Sequence, residues 1–270
     1  LDTPRPKTDR LRIGILSCNL WNHSIGRVMR GLIEQLDTRG FSVHVFAFRD
    51  PFDTISHEIA AHASAWVALP HDLRQAREIV SRAELNVLLY PDIGMDPITY
   101  YLAFARLAPV QCTTWGHPVT TGLHAMDYFI STEYFEPPGA SDHYTEQLVL
   151  LRDVAMPGYY ARPMDPPLKH ARIESATDRR TYFCPQALFK IHPDFDAVVA
   201  GILRADRRAE VQLVARGDAD DYRVRRLSER LARTAKDVFE RIRFVPPGPD
   251  RSGYLLRLQA ADVVLDTFPY

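Results

Sequence analysis

Cysteine is scarce. The 270 residues hold three, Cys18, Cys112 and Cys184, too far apart and too few for a zinc site or a disulfide framework; that usage reads as a reducing, cytoplasmic compartment. No apolar run approaches the roughly 18 to 20 residues that a membrane span needs. The opening stretch "LDTPRPKTDR" lacks the apolar core and cleavage pattern of a signal peptide, so a membrane is not an expected partner. Charge of one sign is missing too: 33 Lys and Arg face 34 Asp and Glu, a formal net charge of -1. Without a basic field, nucleic acid is not an expected partner either. The arginine-rich "RVRRLSERLAR" alternates with acidic and apolar residues and reads as a solvated helix face. Also absent are "GxSxG", "HExxH", a Walker loop and "GxGxxG" after the first strand, so hydrolase, zinc-protease, nucleoside-triphosphatase and dinucleotide readings lack their markers.

What remains is alternation. The apolar run "RIGILSC" is too short for a buried helix, whereas "IGRVMRGLIEQLD" places Ile25, Val28, Met29, Leu32, Ile33 and Leu36 at helical spacing. Strands "FSVHVFAF", "AWVAL", "LNVLLY" and "VQCTTW" follow, separated by helical stretches around Thr54 to His62, "LRQAREIVSRA" and "TYYLAFARLA". Strands alternating with helices predict a parallel, doubly wound α/β sheet. Between 136 and 178 the pattern dissolves into proline and charge, suited to a connection between lobes. A second series then begins: "TYFC", helix "DFDAVVAGILRA", "VQLVA", helix "YRVRRLSERLARTAKDVFE", "IRFVP", helix "GYLLRLQAA" and "DVVLD". The expected architecture is GT-B: a Rossmann-like lobe over 11–135, a connection over 136–178, and a second Rossmann-like lobe over 179–270. That second lobe reads as incomplete, because "VVLDTFPY" stops after a strand with no following helix, and the chain reads as a fragment of a longer protein.

Ligands of such sheets bind where strands end. After the first strand, "SCNLWNHSIGRV" places Asn22, His23 and Ser24 at a helix start, with Ser24 the expected N-cap. His23 is there either a cleft-facing imidazole or an ordinary loop histidine. Asp92 in "YPDIGMD" is either a hydrogen-bond or proton acceptor or the cap of the next helix. "TTWGHPVTTG" offers Gly116, His117, Thr120 and Thr121 in a polar loop that leans toward binding, and His117 and His23 are expected to meet over one substrate. In "CPQALFKIHPDF", Pro193 fits the first position of a helix and Asp194 its first turn. Lys190 then precedes free helix amides that can hold a phosphate, or it is a solvated loop cation.

Four stretches, "RIGILSCNLWNH", "RLAPVQCTTWGHPVTTGLHAMDYFIS", "FCPQALFKIHPDF" and "AADVVLDTFPY", occur in that order. Together they resemble the O-GlcNAc transferase family, particularly its bacterial SPINDLY-like members, from about Leu11 to Tyr270. The resemblance implies an inverting, metal-independent glycosyltransferase with no cofactor beyond its nucleotide-sugar donor. The donor is usually UDP-GlcNAc and the acceptor a protein serine or threonine hydroxyl, and helical repeats precede this region in the family. By the same resemblance Lys190 neutralises the diphosphate leaving group, with Gln186 and Pro193 on the donor side. His23, Lys190 and His117 are the expected catalytic residues, His23 lining the acceptor and sugar site as proton acceptor or as positioning group, and Asn22, Asp92, Gly116, Thr120 and Thr121 are expected on that acceptor and sugar side. His117 stands where many relatives have tyrosine and resembles the asparagine-glucosylating branch. Ala187 stands where the family commonly has an amide side chain. Relatives continue past "LDTFPY" with a donor-holding glycine-rich loop, so the chain by itself is expected to be inactive and to bind a uridine diphosphate weakly. Two other readings stay open: a nucleotide-sugar epimerase of the same architecture, and a binding module without catalysis.

Overall fold

The computed structural model describes residues 10–153 and 179–268. The chain divides into two units, Leu1–Met164 and Asp165–Tyr270. In the first, seven strands form one parallel sheet: β1 (Arg12–Leu16), β2 (Ser42–Ala47), β3 (Ala65–Ala68), β4 (Val87–Tyr90), β5 (Val110–Thr114), β6 (Tyr128–Thr132) and β7 (Gln147–Leu151). Helices α1 (Ser24–Thr38), α2 (Thr54–His62), α3 (Leu73–Arg82) and α4 (Pro97–Leu102) connect the earlier strands. The sheet is covered on both faces, which the alternation along each strand makes visible. Ile15, Val45 and Leu89 pack with Ile25, Met29 and Ile33 of α1, while Leu16, Phe46, Leu88 and Tyr90 pack with Val80 of α3 and Leu102 of α4. Each aliphatic side chain fully removed from water contributes about 1.5 to 3 kcal/mol. These two layers therefore fix the register of every central strand.

Strand order is β3-β2-β1-β4-β5-β6-β7. The winding reverses between β1 and β4, and the carboxyl ends of strands at such a reversal are where sheets of this kind hold their ligands.

The second unit carries a parallel sheet of β8 (Arg180–Cys184), β9 (Ala209–Val214), β10 (Ile242–Val245) and β11 (Val263–Val264), in the order β10-β9-β8-β11. Its helices are α5 (Phe195–Ala205), α6 (Asp221–Thr234) and α7 (Arg251–Ala260). Leu203, Val211, Leu213, Leu227 and Leu231 form its core. Here the reversal lies between β8 and β11.

Three expectations need correction. The first sheet does not stop at 135: β7 pairs with β6 from Tyr128↔Gln147 to Thr132↔Leu151, so part of the stretch read as a connection is a strand of the first unit, and the rest of it, 154–178, lies outside the described residues. The crossovers into β6 and β7 contain no α-helix, so strand-helix alternation gave no signal for either. Helix α4 ends at Leu102 rather than running through "FARLA". The buried side chain of Gln111 accepts from Leu107 N at 2.9 Å and donates to Ala105 O at 3.2 Å, satisfying backbone groups that a helix would otherwise use. Likewise α6 stops at Thr234, and Phe239–Arg241 forms a separate 3₁₀ turn.

Candidate functional site

In the first unit the loops after β1, β4 and β5 interlock. Gly116 stands so close to its surroundings that a Cβ there would lie 2.3 Å from Pro91 O and 2.7 Å from Ile25 Cδ1. At Gly94, φ +101°, a Cβ would meet His117 Nδ1 at 2.8 Å and push that ring aside. At Gly116 the obstacle is backbone, which only glycine tolerates, and at Gly94 it is the left-handed φ that favours glycine. His23, two residues before Ile25, Asp92, next to Pro91, and His117 are thus drawn to one end of one sheet.

Asp92 is 2% exposed. Its Oδ2 accepts from Ser17 Oγ and from Asn19 Nδ2, each at 2.8 Å, while Oδ1 is buried without a hydrogen-bond partner among the described residues. Burial pushes its carboxyl above the usual range, against the pull of those two donors and of His23. Asp92 caps no helix. That task belongs to Asp96, which accepts from Ile98 N at 2.9 Å with Pro97 at the first position of α4.

His23 itself, rather than Ser24, is the N-cap of α1: its Nδ1 accepts from Ile25 N at 3.3 Å. A ring nitrogen that accepts from an amide carries no proton, so the hydrogen of the neutral ring sits on Nε2. Desolvation pulls the His23 pKa down from 6.5 while the Asp92 charge pulls the other way, leaving a neutral imidazole near neutral pH. Trp21 lies against it at a ring separation of 5.5 Å. Asn22 is exposed, and its side-chain oxygen accepts from Arg27 Nε at 2.9 Å and Nη2 at 2.6 Å.

Thr120 and Thr121 serve the loop itself. Thr120 Oγ1 donates to Glu146 Oε2 at 2.8 Å, Thr121 N to Oε1 at 2.8 Å, and Thr121 Oγ1 also donates to Oε1. These donors hold the carboxyl of Glu146, 5% exposed, below its usual range although burial opposes them.

In the second unit the loop after β8 holds Lys190 at the end of a 3₁₀ turn, Leu188–Lys190. The expectation of a phosphate-ready helix mouth beside it fails in detail. Helix α5 begins at Phe195, so Pro193 precedes the helix instead of opening it. The amides of Asp194, Phe195 and Asp196 already donate to His192 Nδ1, His192 O and Pro193 O. What positions the lysine turn is Arg230 of α6: it donates to Ile191 O at 2.9 Å and grips buried Asp196 with two bonds of 2.9 Å. Thr234 Oγ1 adds a bond to Asp196 at 3.0 Å. Gln186 Nε2 donates to Asp266 Oδ1 at 2.7 Å, tying the loop after β8 to the residues after β11 at the second reversal.

Ser17, Asn19, Glu146, Arg230 and Asp266 escaped the sequence reading. Ser17 and Asn19 had one available signal, polar residues placed directly after a buried strand. Among the described residues no three His, Cys, Asp or Glu side chains converge as a metal site.

Set beside known proteins, these two units are familiar. The O-GlcNAc transferase of Thermobaculum terrenum has a similar structure, with a TM-score of 0.81 at 30% identity, covering 99% of this chain and 51% of that one. The fold is therefore of the GT-B class, two Rossmann-like α/β units. The "Probable UDP-N-acetylglucosamine--peptide N-acetylglucosaminyltransferase SPINDLY" of Petunia hybrida is 31% identical over 279 residues, covering all of this chain and 29% of the relative. The corresponding SEC protein of Arabidopsis thaliana is 24% identical over 270 residues, covering 96% of this chain and 27% of the relative. The chain thus spans less than a third of those curated relatives. The family description "Glycosyl transferase family 41" matches residues 2–267, nearly the whole length, and by that match the chain belongs to glycosyltransferase family 41.

Proposed function

We propose that this chain is part of the catalytic region of an inverting glycosyltransferase that moves N-acetylglucosamine from a UDP-sugar to a serine or threonine hydroxyl of a protein. The observation that carries this reading is the polar end of each sheet at its reversal of winding. Two imidazoles and a buried carboxyl gather in the first unit, and a lysine-bearing turn clamped by Arg230 lies in the second. In the reaction, the acceptor oxygen bonds to the anomeric carbon while the bond from that carbon to the diphosphate oxygen breaks. The electron pair leaves with the diphosphate, a phosphate oxygen of the donor takes the proton of the acceptor hydroxyl, and Lys190 offsets the charge that develops on the leaving group. A fixed cation in that place also supports transfer without a metal ion. His23, with its hydrogen on Nε2, suits a donor that orients the acceptor or sugar oxygen better than a group that takes a proton. Three free thiols fit a reducing, cytoplasmic setting, and no described helix is long and apolar enough to cross a membrane.

In the full-length protein, Lys190→Ala should lower the transfer of labelled N-acetylglucosamine by about 10² to 10³ while unfolding stays cooperative. Transfer at the unchanged rate would remove the diphosphate role. Donor incubated without acceptor should keep its sugar configuration, since conversion would mark an epimerase, and transfer should persist in a chelator.

A further inference from the structure

The loop that carries His117 also forms one wall of a cavity that the proposed reaction leaves unused. A space of 440 Å³ opens beside β5 and β6, lined by Trp115, Phe129, Phe135, Tyr144, Ser131 and Glu136. Trp115 and Phe135 meet edge to face at 6.0 Å, and Phe129 lies 4.5 Å from Tyr144. Phe135 is 48% exposed and Phe129 1%, so the Phe135 ring faces water at the rim while Phe129 closes the floor.

Glu136 is the charged group in the lining. Its Oε1 accepts from Ser131 Oγ at 2.6 Å and from Tyr144 Oη at 2.8 Å. Among the described residues, Oε2 accepts no hydrogen bond and no Lys, Arg or His pairs with the carboxylate. Burial, reinforced by Glu136 and then by Glu146, pushes the Tyr144 phenol up, so Tyr144 remains a donor and holds the carboxylate in one orientation. The result, among the described residues, is an aimed carboxylate without a counter-charge, set beside aromatic rings whose quadrupoles also favour a cation. A sugar would ask for several donors and acceptors, whereas both hydroxyls here already point at the carboxylate.

We infer that this pocket receives a cationic side chain, guanidinium or ammonium, from the polypeptide acceptor. It would thereby select acceptor sites with a basic residue near the one that is modified. The word acceptor rests on the function proposed above; the cation preference does not.

Binding can be measured on the 270-residue chain by calorimetry with three blocked nonapeptides that differ at one position: arginine, lysine, or citrulline as the neutral isostere of arginine. The arginine and lysine peptides should each bind about tenfold or more tighter than the citrulline peptide, the size expected of one charge-assisted contact over an aromatic face. Glu136→Gln, which can still accept from Ser131 and Tyr144, should erase the difference. The comparison among peptides uses the unchanged protein, so it does not depend on the variant folding. Equal affinities, no binding of any peptide, or a preference that survives Glu136→Gln would each overturn the assignment. Absence of the preference in the unchanged protein, with sugar transfer intact in the full-length protein, would discard the pocket alone. A retained preference with no sugar transfer would discard the proposed function and leave the pocket standing.

Discussion

The two strand-end sites are built by opposite means. In the first unit, close backbone approach does the positioning: Gly116 against Pro91 and Ile25, and Gly94 against His117. Burial acts on both titratable groups there, lowering the pKa of the half-buried His23 imidazole and raising that of the Asp92 carboxyl. In the second unit, charge does the positioning. Arg230 spans from buried Asp196 to the carbonyl beside the lysine turn. The contrast follows from what each end would hold in the proposed reaction: an uncharged hydroxyl needs shape and oriented hydrogen bonds, while a diphosphate needs a cation held firmly in place.

That comparison can be broken by removing each device in turn. The largest effect is expected from Asp196→Ala, which leaves the Arg230 guanidinium partly buried without its partner. The second unit should lose about 3 kcal/mol, read as a lower denaturant midpoint, with transfer impaired in proportion to the disturbance of Lys190. Wild-type stability in this variant would mean that the ion pair is ornamental. Next comes Gly116→Ala. Its methyl meets a backbone oxygen that cannot rotate away, so the first unit should lose about 2 kcal/mol, and a structure of the variant should show the loops after β4 and β5 displaced.

Smaller, and more discriminating, is the pair of substitutions at His23. His23→Ala removes an N-cap worth about 1 kcal/mol, whereas His23→Asn can restore the cap without the imidazole. If the ring orients a substrate oxygen, the asparagine variant should match wild type in melting yet remain deficient in transfer. Full transfer by His23→Asn would reduce the histidine to a cap.

The subtlest effect is on pH dependence, and the two groups act in opposite senses. His23 has a folded pKa below its unfolded 6.5. The unfolded chain therefore binds more protons just below 6.5, and stability is lost as pH falls through that window. Asp92 has a folded pKa above 3.8, so the folded chain binds more protons, and stability is lost as pH rises from 3.8 through the folded value. Melting curves against pH should lose the upper slope in His23→Asn and the lower slope in Asp92→Asn.

Much of the scaffold was legible in the sequence because it follows from local periodicity. The strands from β1 to β5 and the helices α1 to α3 match their apolar runs and stripes within a residue or two. The strand β6, "YFIST", and the edge strand β7 were not legible, since no intervening helix announced them and no residue of β7 is fully buried. At the site, His23, Asp92, His117 and Lys190 could be nominated from their places after strands. Their partners could not: Ser17 and Asn19 lie 75 and 73 residues from Asp92, and Arg230 lies 39 residues from the carbonyl it holds. In sequence, "RVRRLSERLAR" looks like a solvated face, and for most of its arginines it is. The exception is visible only once α6 lies beside the lysine turn.

The two crowded glycines also bear on redesign. Because Gly116 leaves no spare volume against the Pro91 backbone and Gly94 lies against the His117 ring, the rim around His23 and His117 behaves as a single part. Transplanting one loop to retune what the rim admits would bring in at least a methyl group with nowhere to go, so the three would have to be exchanged as a set.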